Sequence, residues 1–96
     1  MESYEVVYSD IVVALDIPSL DYFFCKRIKS AIHDKLTRSP DLFGKPLHKP
    51  HKGLWSLGVG NYRVVYRIKG HLVRVIIIDV RSRVYRELSK RIKQEL

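Results

Sequence analysis

Two spacings of apolar residues divide this chain into helical and extended stretches. Leu20, Phe24, Ile28, Ile32 and Leu36 recur every four residues, with Phe23, Ala31 and Lys35 beside them. Rows of this kind make one apolar stripe along a helix. Lys26, Arg27, Lys29, Asp34 and Arg38 fall largely off it. Pro18 suits the first turn of this helix, and Ser39-Pro40 stops it near Arg38, because a residue before proline avoids the helical region. Val84, Leu88, Ile92 and Leu96 trace a second stripe near the C-terminus. That helix is basic on its other side through Arg83, Arg86, Lys90, Arg91 and Lys93. Between the stripes the pattern shortens. Leu54–Val59, Tyr62–Ile68 and Leu72–Val80 read as strands, joined by turns at Gly60-Asn61 and Lys69-Gly70-His71. Leu72–Val80 is apolar on both faces and belongs inside a sheet. Glu5–Tyr8 reads as an opening strand. Ser9 and Asp10 are N-cap types, which predicts a short helix over about 10–15.

The predicted order is one strand, two helices, a three-strand meander and a closing helix. Helices packed on one face of a twisted, mostly antiparallel sheet give an α+β fold. Residues 41–53 form a connector punctuated by Gly44, Pro46, Pro50 and Gly53. The whole chain, 1–96, reads as one domain. Its 46% hydrophobic and 29% charged content argues for a folded protein. No apolar run is long enough to cross a bilayer, and no secretory signal is visible, so the expected location is cytoplasmic. The single cysteine, Cys25, sits among Tyr22, Phe23 and Phe24 and is expected to pack in the core.

Charge changes the picture. Residues 1–44 carry a net −2 and residues 45–96 a net +10. A basic half of this kind fits a phosphate backbone or an acidic protein segment. Alternation puts Arg63 and Arg67 on one face of their strand, with Tyr62, Val64, Tyr66 and Ile68 on the other. In the next strand it groups Val73, Val75, Ile77, Asp79 and Arg81. Arg63 starts one strand and Arg81 ends its antiparallel neighbour, so a hairpin brings the two ends together. Two guanidiniums there can clamp one phosphate through their planar donor forks. The plainer reading pairs such arginines with a carboxylate, here Asp79. Tyr85, four residues after Arg81, is placed to stack on a base, or else to pack at the helix start. His48 and His51 sit in the basic run KPLHKPHKG and lack partners for a metal site. They read as solvated loop. No cofactor motif and no Ser/His/Asp arrangement is present.

The runs LTRSPDLFGKPLHKPHKGLW, VGNYRVVYRI and IIIDVRSRVYREL resemble the RelE/ParE superfamily of bacterial and archaeal toxins. The resemblance extends from Tyr4 to Glu87. It implies a small α+β domain and, on the RelE-like branch, ribosome-dependent cleavage of messenger RNA without a metal or cofactor. It further implies that Arg63 contacts phosphate, Arg81 assists the leaving group and Tyr85 stacks on the nucleotide. Lys45, Lys52, Arg67, Arg83 and Arg86 would then be RNA-binding. The partners implied are a cognate antitoxin, messenger RNA and the ribosome. The ParE-like branch implies DNA gyrase instead, and a degenerate toxin would bind its antitoxin alone. Three positions depart from the nuclease pattern. Ser56 and Gly58 stand where basic residues commonly flank the strand leucine, and Val80 stands where a histidine is frequent. The phosphate clamp is kept and most proton-transfer groups are lost, with Lys52 or His51 as loop substitutes.

Overall fold

The computed structural model describes residues 4–95, and side chains only through residue 92 at its C-terminal end. Leu96, the last residue of the predicted second stripe, and the Lys93 side chain lie outside the described residues. The chain opens with β1 (Glu5–Tyr8). Helix α1 joins a π-helical turn, Val12–Asp16, to an α-helical turn, Ile17–Ser19. Helix α2 joins Tyr22–Ala31 to a π-helical turn, Ile32–Leu36. A short helix α3 (Pro40–Phe43) and a two-residue strand β2 (Lys45–Pro46) follow. Then come β3 (Trp55–Val59), β4 (Tyr62–Lys69), β5 (Leu72–Val80) and helix α4 (Val84–Glu95). The sheet order is β1-β5-β4-β3-β2. Among the described residues only the β1–β5 pairing is parallel. No helix among the described residues is long and apolar enough to cross a membrane.

The four-residue stripe does form the inner face of α2. Ile28, Ile32 and Leu36 are buried against Leu57, Val59, Val64, Tyr66, Val73 and Val75. A strict four-residue row drifts by about 40° per step on a 3.6-residue helix. The wider π turn at Ile32–Leu36 offsets that drift and keeps Leu36 aimed at the sheet. The helix begins later than Pro18 predicts. Pro18 belongs to the end of α1, the chain turns extended at Leu20, and Asp21 caps α2 by accepting from the Phe24 amide at 2.9 Å. Cys25 is half-buried at the edge of the core rather than inside it.

The helices do not share one face. Val84 and Leu88 of α4 pack with Leu54, Val65, Ile76 and Ile77 on the side of the sheet opposite α1 and α2. The reversal follows from a bulge. Val65 pairs with Ile77 and Tyr66 with Val75, so Ile76 is an extra residue in β5. Val73 and Val75 therefore face α2, whereas Ile77 faces α4, and the single face predicted for these residues is split. The extra residue gives β5 a second apolar surface on which α4 docks.

Beyond Tyr8, β1 no longer covers β5. The exposed edge is closed by side chains. Asp16 accepts from the Ile78 amide at 2.9 Å and from both Arg91 terminal nitrogens, at 2.6 and 3.0 Å. Arg91 also donates to the Ile76 carbonyl. One ion pair thus ties α1 to α4 around the sheet edge.

Candidate active site

The connector before β3 is more ordered than its composition suggests. Gly44 is buried because the Tyr66 side chain crosses it. A Cβ at Gly44 would stand 1.8 Å from the Tyr66 hydroxyl. That hydroxyl donates to the Pro40 carbonyl, and burial, with Asp41 nearby, pushes its pKa far above the usual phenol range. Phe43-Gly44-Lys45-Pro46 is therefore held against the sheet, and Lys45 pairs with Ser56 across the β2–β3 ladder. Leu47 donates to the Leu54 carbonyl at 2.9 Å, which extends this hairpin beyond β2. Within the loop, His51 folds inward. His51 is 9% exposed, and its ring stacks on Tyr85 with centroids 6.4 Å apart and lies 3.4 Å from the Ser89 hydroxyl. This corrects the solvated-loop expectation for His51. A loop sequence carries no local sign that α4 will lie over it.

Ser56, Gly58 and Arg63 face the same side of the sheet as α4, because Ser56 pairs with Val65 and Gly58 with Arg63. They share a cleft of about 400 Å³ with Phe43, Lys45, Pro46, Leu47, His48 and Tyr85. That volume lies in the range of small-ligand sites. Arg63 is fixed there by its own turn, its Nη1 donating to the carbonyls of Gly60 at 3.1 Å and Tyr62 at 2.9 Å. Gly58 leaves the space for it, since a Cβ there would stand 3.2 Å from Nη1 and 3.3 Å from Cζ. The Tyr85 hydroxyl donates to Ser56 Oγ at 3.2 Å, which turns the phenol ring into the cleft wall. Among the described residues no carboxylate lines the cleft. Two cations, an aromatic face and apolar walls together suit a phosphate joined to a base.

Of the residues selected from sequence, Lys45, Arg63 and Tyr85 meet in this cleft. Lys52 lines an adjoining basin that shares Pro46, Leu47 and His48 with it. Arg81 follows the end of β5, where its amide donates to the Asn61 carbonyl at 2.8 Å. Asp79 pairs with Arg63 and β5 ends at Val80, so Arg81 lies just past the end of the ladder, two positions beyond the partner of Arg63. The Arg81 side chain is exposed and is not part of the cleft lining. Arg67 lies at the far end of the hairpin, beside Lys69, Leu72 and Arg74. Arg83 turns toward α1 and binds Asp79 through three contacts, the shortest 2.7 Å. Burial alone would raise the Asp79 carboxyl, but the Arg83 hydrogen bonds and the Val80 amide hold it below its ordinary value. Arg86 is exposed and 3.8 Å from Glu87. His48, read from sequence as solvated, lines the cleft. Its signal was present in the spacing of His48 from Lys45, but only the β2–β3 hairpin gives that spacing a direction. No cluster of three His, Cys, Asp or Glu side chains is placed to hold a metal ion among the described residues.

A family model described as the ParE toxin of type II toxin–antitoxin systems, parDE, matches residues 20–85. Solved structures agree. A chain in the toxin–antitoxin complex RelBE2 from Mycobacterium tuberculosis is 27% identical, with a TM-score of 0.77 over 82% of this chain and 99% of that one. A double arginine-to-alanine mutant of the Escherichia coli toxin RelE, in the free state, is 16% identical, with a TM-score of 0.73 over 100% of both chains. Escherichia coli YafQ is 15% identical, with a TM-score of 0.55 over 85% of this chain and 98% of that one. The likeness to RelE and YafQ is one of fold. A comparison with curated proteins finds no match.

Proposed function

We propose that this chain, which belongs to the ParE toxin family of type II toxin–antitoxin systems within the RelE/ParE superfamily, halts translation by cutting messenger RNA on the ribosome. The observation that carries this reading is the cleft itself. Lys45 and Arg63 supply positive charge at one point, Tyr85 supplies a stacking face beside it, and no carboxylate repels a phosphate. The scissile phosphate sits on Arg63 and Lys45, and the adjoining base lies against Tyr85. The ribose 2′-hydroxyl attacks the phosphorus, and the cations stabilise the charge that builds on its oxygens. Arg81 reaches the departing oxygen from the end of β5. It acts by electrostatic stabilisation, because a guanidinium does not give up its proton at working pH. Lys52, Arg67, Arg83 and Arg86 extend the basic surface toward the rest of the message and the ribosome. Arg83 contributes least, since Asp79 already neutralises it.

The partner in the uninhibited cell is a cognate antitoxin of acidic character, which the net charge of +8 favours, and the setting is the cytoplasm. A translation reaction with the 5′ ends of the message mapped tests the reading. Cuts at the ribosomal A site, lost on Arg63→Ala and on Arg81→Ala, support it. A second reading rests on a specific observation, the match to a ParE model together with Ser56 and Gly58 in place of basic side chains. On that reading the chain binds DNA gyrase. Intact message with trapped gyrase–DNA complexes would favour it.

A further inference from the structure

The cleft has charge but, at first sight, no base. Transesterification needs the attacking 2′-hydroxyl to lose its proton. Arginine and lysine are already protonated near neutrality, glycine has no side chain, and the Tyr85 hydroxyl is engaged with Ser56. The remaining titratable side chain in the lining is His48. We propose that His48 is the catalytic base of this chain, supplying from the β2–β3 loop the proton transfer that Ser56 and Gly58 cannot perform. The inference rests on the nuclease reading.

Three observations carry it. His48 lines the cleft together with Lys45, Arg63 and Tyr85, and also the adjoining basin with Lys49 and Lys52. It is exposed, so its ring can return a proton to water. Its backbone is fixed on both sides. The Leu47 amide is held by the Leu54 carbonyl, and the His48 carbonyl accepts from the His51 amide at 2.8 Å. His51, buried against Tyr85, anchors the loop to α4. Two histidines three positions apart thus divide the labour: one packs inward and holds, the other faces the cleft.

The step balances without a redox partner. The neutral imidazole takes the 2′-hydroxyl proton as that oxygen bonds to the adjoining phosphorus. The bond from phosphorus to the 5′-oxygen breaks, and the departing oxygen takes a proton from solvent. The products are a 2′,3′-cyclic phosphate and a free 5′-hydroxyl, and the imidazolium returns its proton to water. The charged and titratable groups around His48 are Lys45 of β2, Lys49 and Lys52 of the loop, Arg63 of β4 and Tyr85 of α4.

The test compares wild type, His48→Gln, His48→Gly and Arg63→Ala in cutting of ribosome-bound message across the neutral pH range. Melting temperature is measured in parallel. His48→Gln should melt like wild type and lose about 10²–10⁴-fold in rate with KM little changed. Its pH–rate profile should lose the rise seen in wild type, and added imidazole should restore cutting to His48→Gly. A His48→Gln chain that cuts at the wild-type rate overturns this assignment and leaves the nuclease reading standing. Loss of rate with an unaltered pH profile and no imidazole rescue makes His48 structural and overturns it too. A wild-type chain that cuts no message overturns both.

Discussion

Replacing Asp16 with alanine should break the buried ion pair with Arg91 and cost this fold several kcal/mol. The two partners are 75 positions apart, and their side chains keep only 8% and 12% of their exposure. Removing the carboxylate strands the Arg91 guanidinium in a buried site, and breaking such a pair costs about 3–5 kcal/mol. It also leaves the Ile78 amide without an acceptor, a loss of about 1–3 kcal/mol that partly overlaps the first. A net loss of about 4 kcal/mol is expected. A domain of this size holds about 5–15 kcal/mol in all, and each kcal/mol moves its midpoint by about 4–8 °C. The melting temperature should therefore fall by about 15–30 °C. Thermal unfolding followed by far-ultraviolet circular dichroism measures that shift, and urea unfolding followed by the fluorescence of Trp55 measures the free-energy loss. The double change Asp16→Ala with Arg91→Met removes the stranded charge and should recover about half of the loss. A single mutant within about 1 kcal/mol of wild type would refute the edge-closing role. So would a double mutant whose cost equals the sum of the singles, since a coupled pair cannot be additive.

Other consequences are as open to measurement. Gly44→Ala drives a methyl group into the Tyr66 hydroxyl and should destabilise by about 2–4 kcal/mol; adding Tyr66→Phe should recover part of that loss in urea melts. Gly58→Ala crowds Arg63 by a few tenths of an ångström, so message cutting should drop about tenfold while the melting temperature holds, and an unchanged rate would show that the Arg63 position is not critical. The Asp79 carboxyl titrates below its ordinary 3.8 in the folded chain. Its contribution is therefore present above that pH and lost as pH falls through the lower folded value. Asp79→Asn should be less stable than wild type at neutral pH, and the gap in urea midpoints should close in strong acid. A gap that stays constant from neutral to acid would contradict the assignment.

Much of this architecture was legible in the chain because the relevant rules are local. The four-residue stripe gave α2, the alternation and Gly60-Asn61 gave the β3–β4 hairpin, and the Arg63 position followed from its strand. The missing parts depend on contacts that no local rule sees. Strand β2 is two residues long and includes a proline, so its existence depends on β3 being there to pair with it. The extra residue at Ile76 hides in an apolar run, Val75–Ile78, in which every phase of alternation looks equally good. Once it is placed, α4 must dock on the opposite face and Asp16 can meet Arg91 at the sheet edge. The same dependence governs the cleft. In the sequence Gly58 marks a basic residue lost. In the folded chain its missing side chain is the space across which Arg63 lies, and the meaning of the position is set by its cross-strand partner. His48 follows the same logic, because a histidine in a basic loop becomes a candidate base only when its neighbour His51 is pinned beneath α4. The pattern of departures from the nuclease family therefore need not record decay. A cleft that uses a loop histidine in place of basic strand residues makes a different prediction from one that has lost its base. In the first, replacing His48 costs cutting rate; in the second, it does not.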